Sequence, residues 1–254
     1  VSARRLFAAL ATALAAAAAV AAPSAPPASV TPSGATLPEN LLRIELHLRR
    51  PLSHPLAMAH VRLLSADGTP IPGALLDLPL PDGDGRTLTL LLGPARVKSG
   101  VGANLAMGRA LRAGEDVALL VDDPQWAAPL RKRWRVVPAA TQALDPAAWR
   151  FDAPRAGTRQ PLVVRLAATL TASSTALIAV RGPGGERVGG TASLRDGETT
   201  WRFRPATAWN VGPHALVLHP RLEDVAGNRP CAPFEAPDLS ERDCPGAERA
   251  FDVR

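Results

Sequence analysis

Tyrosine is absent from this chain, and lysine occurs only at Lys98 and Lys132, so its positive charge is carried almost wholly by arginine. Two cysteines, Cys231 and Cys244, are too far apart for a Cys-x-x-Cys clasp, and the five histidines form no His-Glu-x-x-His set. Structural zinc and zincin chemistry have no sequence support on those grounds. No Gly-x-Ser-x-Gly elbow or Ser-x-x-Lys pair is present, and Ser99 lacks the strand-turn-helix context that makes a serine nucleophilic. The glycine-rich Arg181-to-Gly190 stretch has no helix pattern after it, so it reads as a turn and not as a phosphate cradle. Adjacent acids such as Glu223 and Asp224 would point to opposite faces of a strand, which is wrong for two carboxyls flanking one bond. The expectation is therefore no catalytic residue, no cofactor and no metal.

The N-terminus carries Arg4 and Arg5, then an apolar run from Leu6 to Ala22 interrupted only by Thr12. That pattern reads as a secretory signal peptide over residues 1–21, with small residues at Ala19 and Ala21 favouring cleavage after Ala21. An alanine-dominated run of this length is a poor membrane span, so no span is expected in the mature chain, and its location is periplasmic or extracellular. Removing Arg4 and Arg5 takes the formal charge from +6 to +4, a weak argument for any polyanionic partner. Residues 22–38 are rich in Pro, Ser and Ala and carry no charge, which reads as a flexible tether.

Alternating segments dominate the rest. Leu42 to Leu48, the Thr87 to Leu92 run and Thr200 to Pro205 show the period of half-buried strands, and the proline content opposes long helices. The landmarks also recur in order. Arg43 to Leu46 lines up with Val163 to Leu166, Ser65-Ala66-Asp67-Gly68 with Gly182 to Gly185, and Ile71-Pro72-Gly73 with Val188-Gly189-Gly190. Further on, the strand runs ending at Pro94 and Pro205 correspond, as do the closing Trp134 and Phe251 segments. Two copies of one β-unit, residues 39–140 and 161–254 with a 141–160 linker, account for that order.

The second copy holds Phe203-x-Pro205, Trp209-x-x-Gly212 and Leu222-x-Asp224-x-Ala226-Gly227-Asn228. This pattern resembles the SbsA-type bacterial Ig-like domains of exported and surface proteins, with the first copy degenerate because the Asp122-to-Leu130 stretch replaces the Asp-x-Ala-Gly-Asn phrase. The resemblance implies an all-β fold of two tandem immunoglobulin-like β-sandwiches and a non-catalytic binding, adhesive or spacer role in the cell envelope. Its partner would be an envelope protein or glycan, and the protein a monomer. The alternative, from a different class, is a periplasmic hydrolase or glycan-active enzyme with a site assembled from distant residues.

Asp224, Gly227 and Asn228 read as a structural turn, since an Asp side chain accepts from backbone N–H groups two residues on and Gly-Asn tolerates positive φ. A calcium site would need six to eight oxygens that this phrase does not line up. Residues 81–86 fail as a calcium loop at Arg86 and read as a hairpin. Trp201 and Phe203 belong on a core face, whereas Trp209 suits either loop-anchoring packing or sugar stacking. Trp149 and Phe151 would stiffen the linker by packing against both units. The arginines read as scattered, without the stacking aromatics that nucleic-acid binding needs, so no nucleic-acid partner is expected. Cys231 and Cys244 pair naturally as a disulfide in an oxidising compartment, against the alternatives of free thiols or a redox pair.

Overall fold

A computed structural model describes residues 27–97, 102–235 and 246–254; the expected signal peptide and Cys244 lie outside these residues. The first unit contains β1 (Ala28–Thr31), β2 (Thr36–Pro38), β3 (Arg43–Leu48), β4 (Val61–Leu64), β5 (Leu75–Pro81), β6 (Thr87–Leu92), β7 (Asp116–Val121) and β8 (Leu130–Val137). They form two sheets, ordered β1-β3-β6-β5 and β2-β8-β7-β4. The second unit contains β9 (Arg150–Asp152), β10 (Leu162–Arg165), β11 (Ile178–Arg181), β12 (Gly190–Arg195), β13 (Thr200–Pro205), β14 (Gly212–Leu218) and β15 (Ala247–Val253), ordered β12-β13-β10-β9 and β11-β14-β15. Four strands in the order first-second-fifth-fourth facing the third, sixth and seventh is the immunoglobulin sandwich. Both units have it; the first adds β2, which runs parallel to β8. The fold is all-β and immunoglobulin-like.

Alternation drives each sheet. In β6 and β13 every second side chain is buried, because one sheet face meets the core and the other meets water. The paired landmarks share geometry as well as order. Gly68 and Gly185 both take positive φ after the third strand of their unit, and Leu64–Pro70 and Arg181–Arg187 form matching bridges. The cores differ in kind. The first is largely aliphatic around Ile44, Leu46, Leu90 and Leu119, with Trp134 donating Nε1–H to the Pro32 carbonyl at 2.9 Å. The second is aromatic: Trp201 and Phe203 stack at 5.6 Å, and Trp209 meets Phe203, His214 and Phe251. Trp209 is buried and its Nε1–H donates to the Gln160 carbonyl at 2.7 Å, which leaves no free face for a sugar.

Two expectations need correcting. The stretch to Pro38 read as a tether supplies β1 and β2, because Ala28, Val30 and Leu37 are buried and a low average hydrophobicity concealed their spacing. Likewise the 141–160 stretch is not a bare linker. Leu144 and Trp149 lie in the second core and residues 150–152 form an edge strand, so the aromatics pack on one unit and not on both. Apart from these, the insertion after β6 makes two short helices, α1 (Pro94–Val97) and α2 (Gly102–Met107), held by Arg96, whose Nε–H donates to the Gly108 carbonyl at 2.8 Å.

Candidate functional site at the junction between the sandwiches

The Leu222-to-Asn228 phrase is a knuckle that joins the two units. Leu222 is rooted in the second core, and Asp224 forms an antiparallel bridge with Leu170. The Asp224 Oδ1 accepts from the backbone N–H of Ala226 (2.8 Å) and Asn228 (2.9 Å), while Oδ2 accepts from the Asn228 side-chain amide at 2.8 Å. Gly227 closes the turn with φ of 82°. A Cβ there would stand 2.5 Å from Leu42 Cδ1 and 2.9 Å from Phe234 Cδ2, so conformation and space both demand glycine.

The knuckle crosses to the first unit. Val225 is buried within the first core, and its carbonyl accepts from the Leu42 N–H at 3.1 Å. The Asn228 and Asn40 side-chain amides both donate to the Ala140 carbonyl, at 2.9 and 2.8 Å. Arg43 and Glu223 form an ion pair across the boundary. On the other side of the contact, the carboxylate of Glu198 accepts from Ser33 N–H (2.7 Å) and Oγ–H (2.6 Å). Gly197 sits so close to Gly34 that an added Cβ would lie 2.8 Å from the Gly34 Cα. Between these contacts, a gap of about 10 Å³ lined by Thr31, Arg43, Leu170 and Val225 leaves at most one water's worth of space.

Burial sets the electrostatics. Desolvation pushes the Asp224 carboxyl above the ordinary carboxylate range, against the opposing hydrogen bonds from Asn228 and the turn backbone. Glu45 is raised for the same first reason; His47, Arg43 and the Thr31 hydroxyl pull it down, and the Glu198 charge pushes it further up. Desolvation also holds the Arg43 guanidinium below its usual value. The arrangement is a hydrogen-bonded mortise.

Other candidate residues fall apart in space. Among the histidines, His47 meets the Thr31 hydroxyl at 2.9 Å, His54 meets Ser53 at 2.8 Å, His214 is buried among aromatics, and His219 caps the Arg221 N–H at 3.1 Å. Asp82 and Asp84 turn inward to the N–H groups of Arg86 and Thr87, forming the β5–β6 hairpin. Six of the arginines, by contrast, gather in two clusters. Arg131, Arg133 and Arg135 line a groove of about 410 Å³ on the first unit, and Arg195, Arg202 and Arg204 line one of about 280 Å³ on the second. Period two along β8 produces the first cluster, and along β13 it supplies Arg202 and Arg204 of the second, a signal readable as Arg-x-Arg within a strand; Arg195 joins them from β12.

No family model matches the chain, and no curated protein matches it. Solved structures with similarity include a biofilm-associated protein BSP domain (11% identity, TM-score 0.26), matched over 75% of this chain and 26% of that one. Titin Ig tandem domains match at 11% identity and TM-score 0.26, over 86% of this chain and 89% of that one. Drosophila OTK extracellular domains 3–5 match at 11% identity and TM-score 0.19, over 89% and 61%. The chain thus spans about a quarter of the first of these, and the fold assignment rests on strand order, not on such distant likeness.

Proposed function

We propose that this protein is a non-catalytic exported module of the SbsA-type Ig-like kind, whose two sandwiches act as one stiff body that presents binding faces at a bacterial cell envelope. The observation that carries this reading is Val225, a residue of the second unit buried in the core of the first. Interfaces between domains of one chain ordinarily permit relative motion unless they are apolar and extensive. Here an apolar knob, a shared backbone acceptor at Ala140 and a buried carboxylate on Ser33 act together. Stiffness of that kind serves spacing and presentation, not the closure of a catalytic cleft.

The test is a pair of spin labels, one on each sandwich, with their separation measured by pulsed dipolar spectroscopy. One narrow distance distribution is expected. A broad distribution in the unaltered protein would overturn the stiff-body reading. N-terminal sequencing of envelope-recovered protein checks export, with a start near Ala22 expected. The Cys231–Cys244 disulfide belongs to the same proposal. Closing that loop stabilises by about 3 kcal/mol in the chain-entropy model, and thiol labelling of unreduced, denatured protein should find no free cysteine.

A further inference from the structure

The outer face of the β9–β10–β13–β12 sheet is strongly basic. Antiparallel register sets Arg202 between Ser193 and Val163, Thr200 between Arg195 and Arg165, and Arg165 beside Arg150. Arg204 lies opposite Thr191 on the same face. Asp152 is the one acid among these positions, and it pairs with Arg165 at 2.7 Å. Among the described residues no carboxylate lies within ion-pair distance of Arg195, Arg202 or Arg204. The neighbouring Glu198 is turned away into the junction, where Ser33 holds it. The three arginines surround a groove of about 280 Å³ shared with Thr191 and Ser193.

We propose that this groove binds a linear polysaccharide bearing carboxylates, a uronate polymer. The inference rests on the reading of the chain as a binding module and names its partner class. Three exposed guanidinium groups spread over adjacent strands match an extended ligand with repeated anionic groups, because each planar fork takes a carboxylate in two parallel hydrogen bonds. Thr191 and Ser193 add hydroxyls that donate to and accept from sugar hydroxyls. The face offers no exposed aromatic ring for base stacking, as a single-stranded nucleic acid would need. Large exposed apolar side chains lie on β5, on α2 and at Val211 and Phe234, so the groove lacks the apolar anchor that a bilayer surface would engage. Contact of the Ala172–Leu177 3-10 helix with β12 opposes the addition of an acidic peptide as a further strand.

The experiment is titration of the mature chain with polygalacturonate, with pullulan as the uncharged control and with polyglutamate and anionic phosphatidylglycerol vesicles as competing anions. Polygalacturonate should bind, weaken steeply with added salt, and be preferred over the other three. The triple variant R195Q/R202Q/R204Q should bind about tenfold more weakly or worse, since charge-assisted forks are lost at exposed positions that leave the core untouched. R131Q/R133Q/R135Q, which removes the comparable cluster on the first unit, should change affinity by about twofold at most, because that groove takes no part. Equal losses in the two triple variants would reduce the effect to bulk charge and overturn the site. Tighter binding of vesicles or polyglutamate would overturn the partner class. Absence of any binding, alongside a narrow inter-sandwich distance, would remove this proposal and leave the stiff-body reading standing.

Discussion

Each sandwich joins its sixth and seventh strands by a loop at the same pole, and the two loops have opposite fates. In the first unit residues 122–129 fold back locally: Asp123 Oδ1 accepts from the Gln125 N–H at 2.9 Å, and Gln125 reaches Ser53. Ala127 and Ala128 are left exposed. In the second unit the corresponding stretch becomes the Leu222-to-Asn228 knuckle and drives Val225 into its neighbour. Fold position alone therefore does not make a docking element. Both loops hold a buried aspartate; what distinguishes the second is that its carboxylate organises three donors at once where Asp123 holds one, so that the chain can carry an apolar residue outward without fraying.

The largest break in that contrast comes from placing a charge at matched points of the two loops. Val225→Asp should destabilise the protein by about 3–5 kcal/mol, the cost of an uncompensated charge in an apolar interior. It should also broaden the inter-sandwich distance. Ala127→Asp, on the exposed loop, should stay within about 0.5 kcal/mol. Urea denaturation with each spin-labelled variant reads both effects, and similar losses for the two would show that the second loop is no more engaged than the first.

A smaller effect separates the two aspartates. Asp224→Ala strands the N–H groups of Ala226 and Asn228 and one side-chain amide proton in a buried turn, and should cost about 2–3 kcal/mol. Asp123→Ala strands only the Gln125 N–H and should cost about 1 kcal/mol. Asp224→Ala should also loosen the junction in hydrogen exchange at Leu42, whose N–H is held by the Val225 carbonyl. Unchanged exchange there would confine the role of Asp224 to its own turn.

Strand alternation and the ordered recurrence of landmarks made the architecture legible, down to the glycines that turn after the third strand of each unit. The tether was misread because its buried apolar side chains, Ala28, Val30 and Leu37 among them, sit in a background of Pro, Ser and Ala too weakly hydrophobic on average to signal a strand. At the knuckle, the local hydrogen-bonding capacity of Asp224 and Asn228 could be read from residue type and spacing. Its contact with Leu42 and Ala140 could not, because pairing over such sequence distance leaves no periodic trace. The basic face was missed for the opposite reason. Arg202-x-Arg204 was visible, but its meeting with Arg195 depends on the register of β12 against β13.

The smallest expected effect is one of pH, and it sharpens the contrast between buried and exposed carboxyls. Burial raises Glu45 beside the junction, with His47, Arg43, Glu198 and the Thr31 hydroxyl facing it. Asp82, in the exposed β5–β6 hairpin, is held below its ordinary value, first by the Thr87 N–H. A group whose folded pKa is raised binds its proton more tightly in the native state. Its contribution is full below the unfolded value and is lost as pH rises through the folded one. The depressed Asp82 does the reverse: its contribution is present above the unfolded value and is lost as pH falls through the folded one. Glu45→Gln keeps a neutral group at every pH, so the stability of the unaltered protein relative to that variant should decline as pH climbs above the ordinary carboxylate range. Relative to Asp82→Asn, it should instead decline as pH drops below that range. Urea midpoints measured across the acid-to-neutral interval for all three proteins check both slopes. A difference from Glu45→Gln that grows with rising pH would mean that Arg43 and His47, and not desolvation, govern that carboxyl.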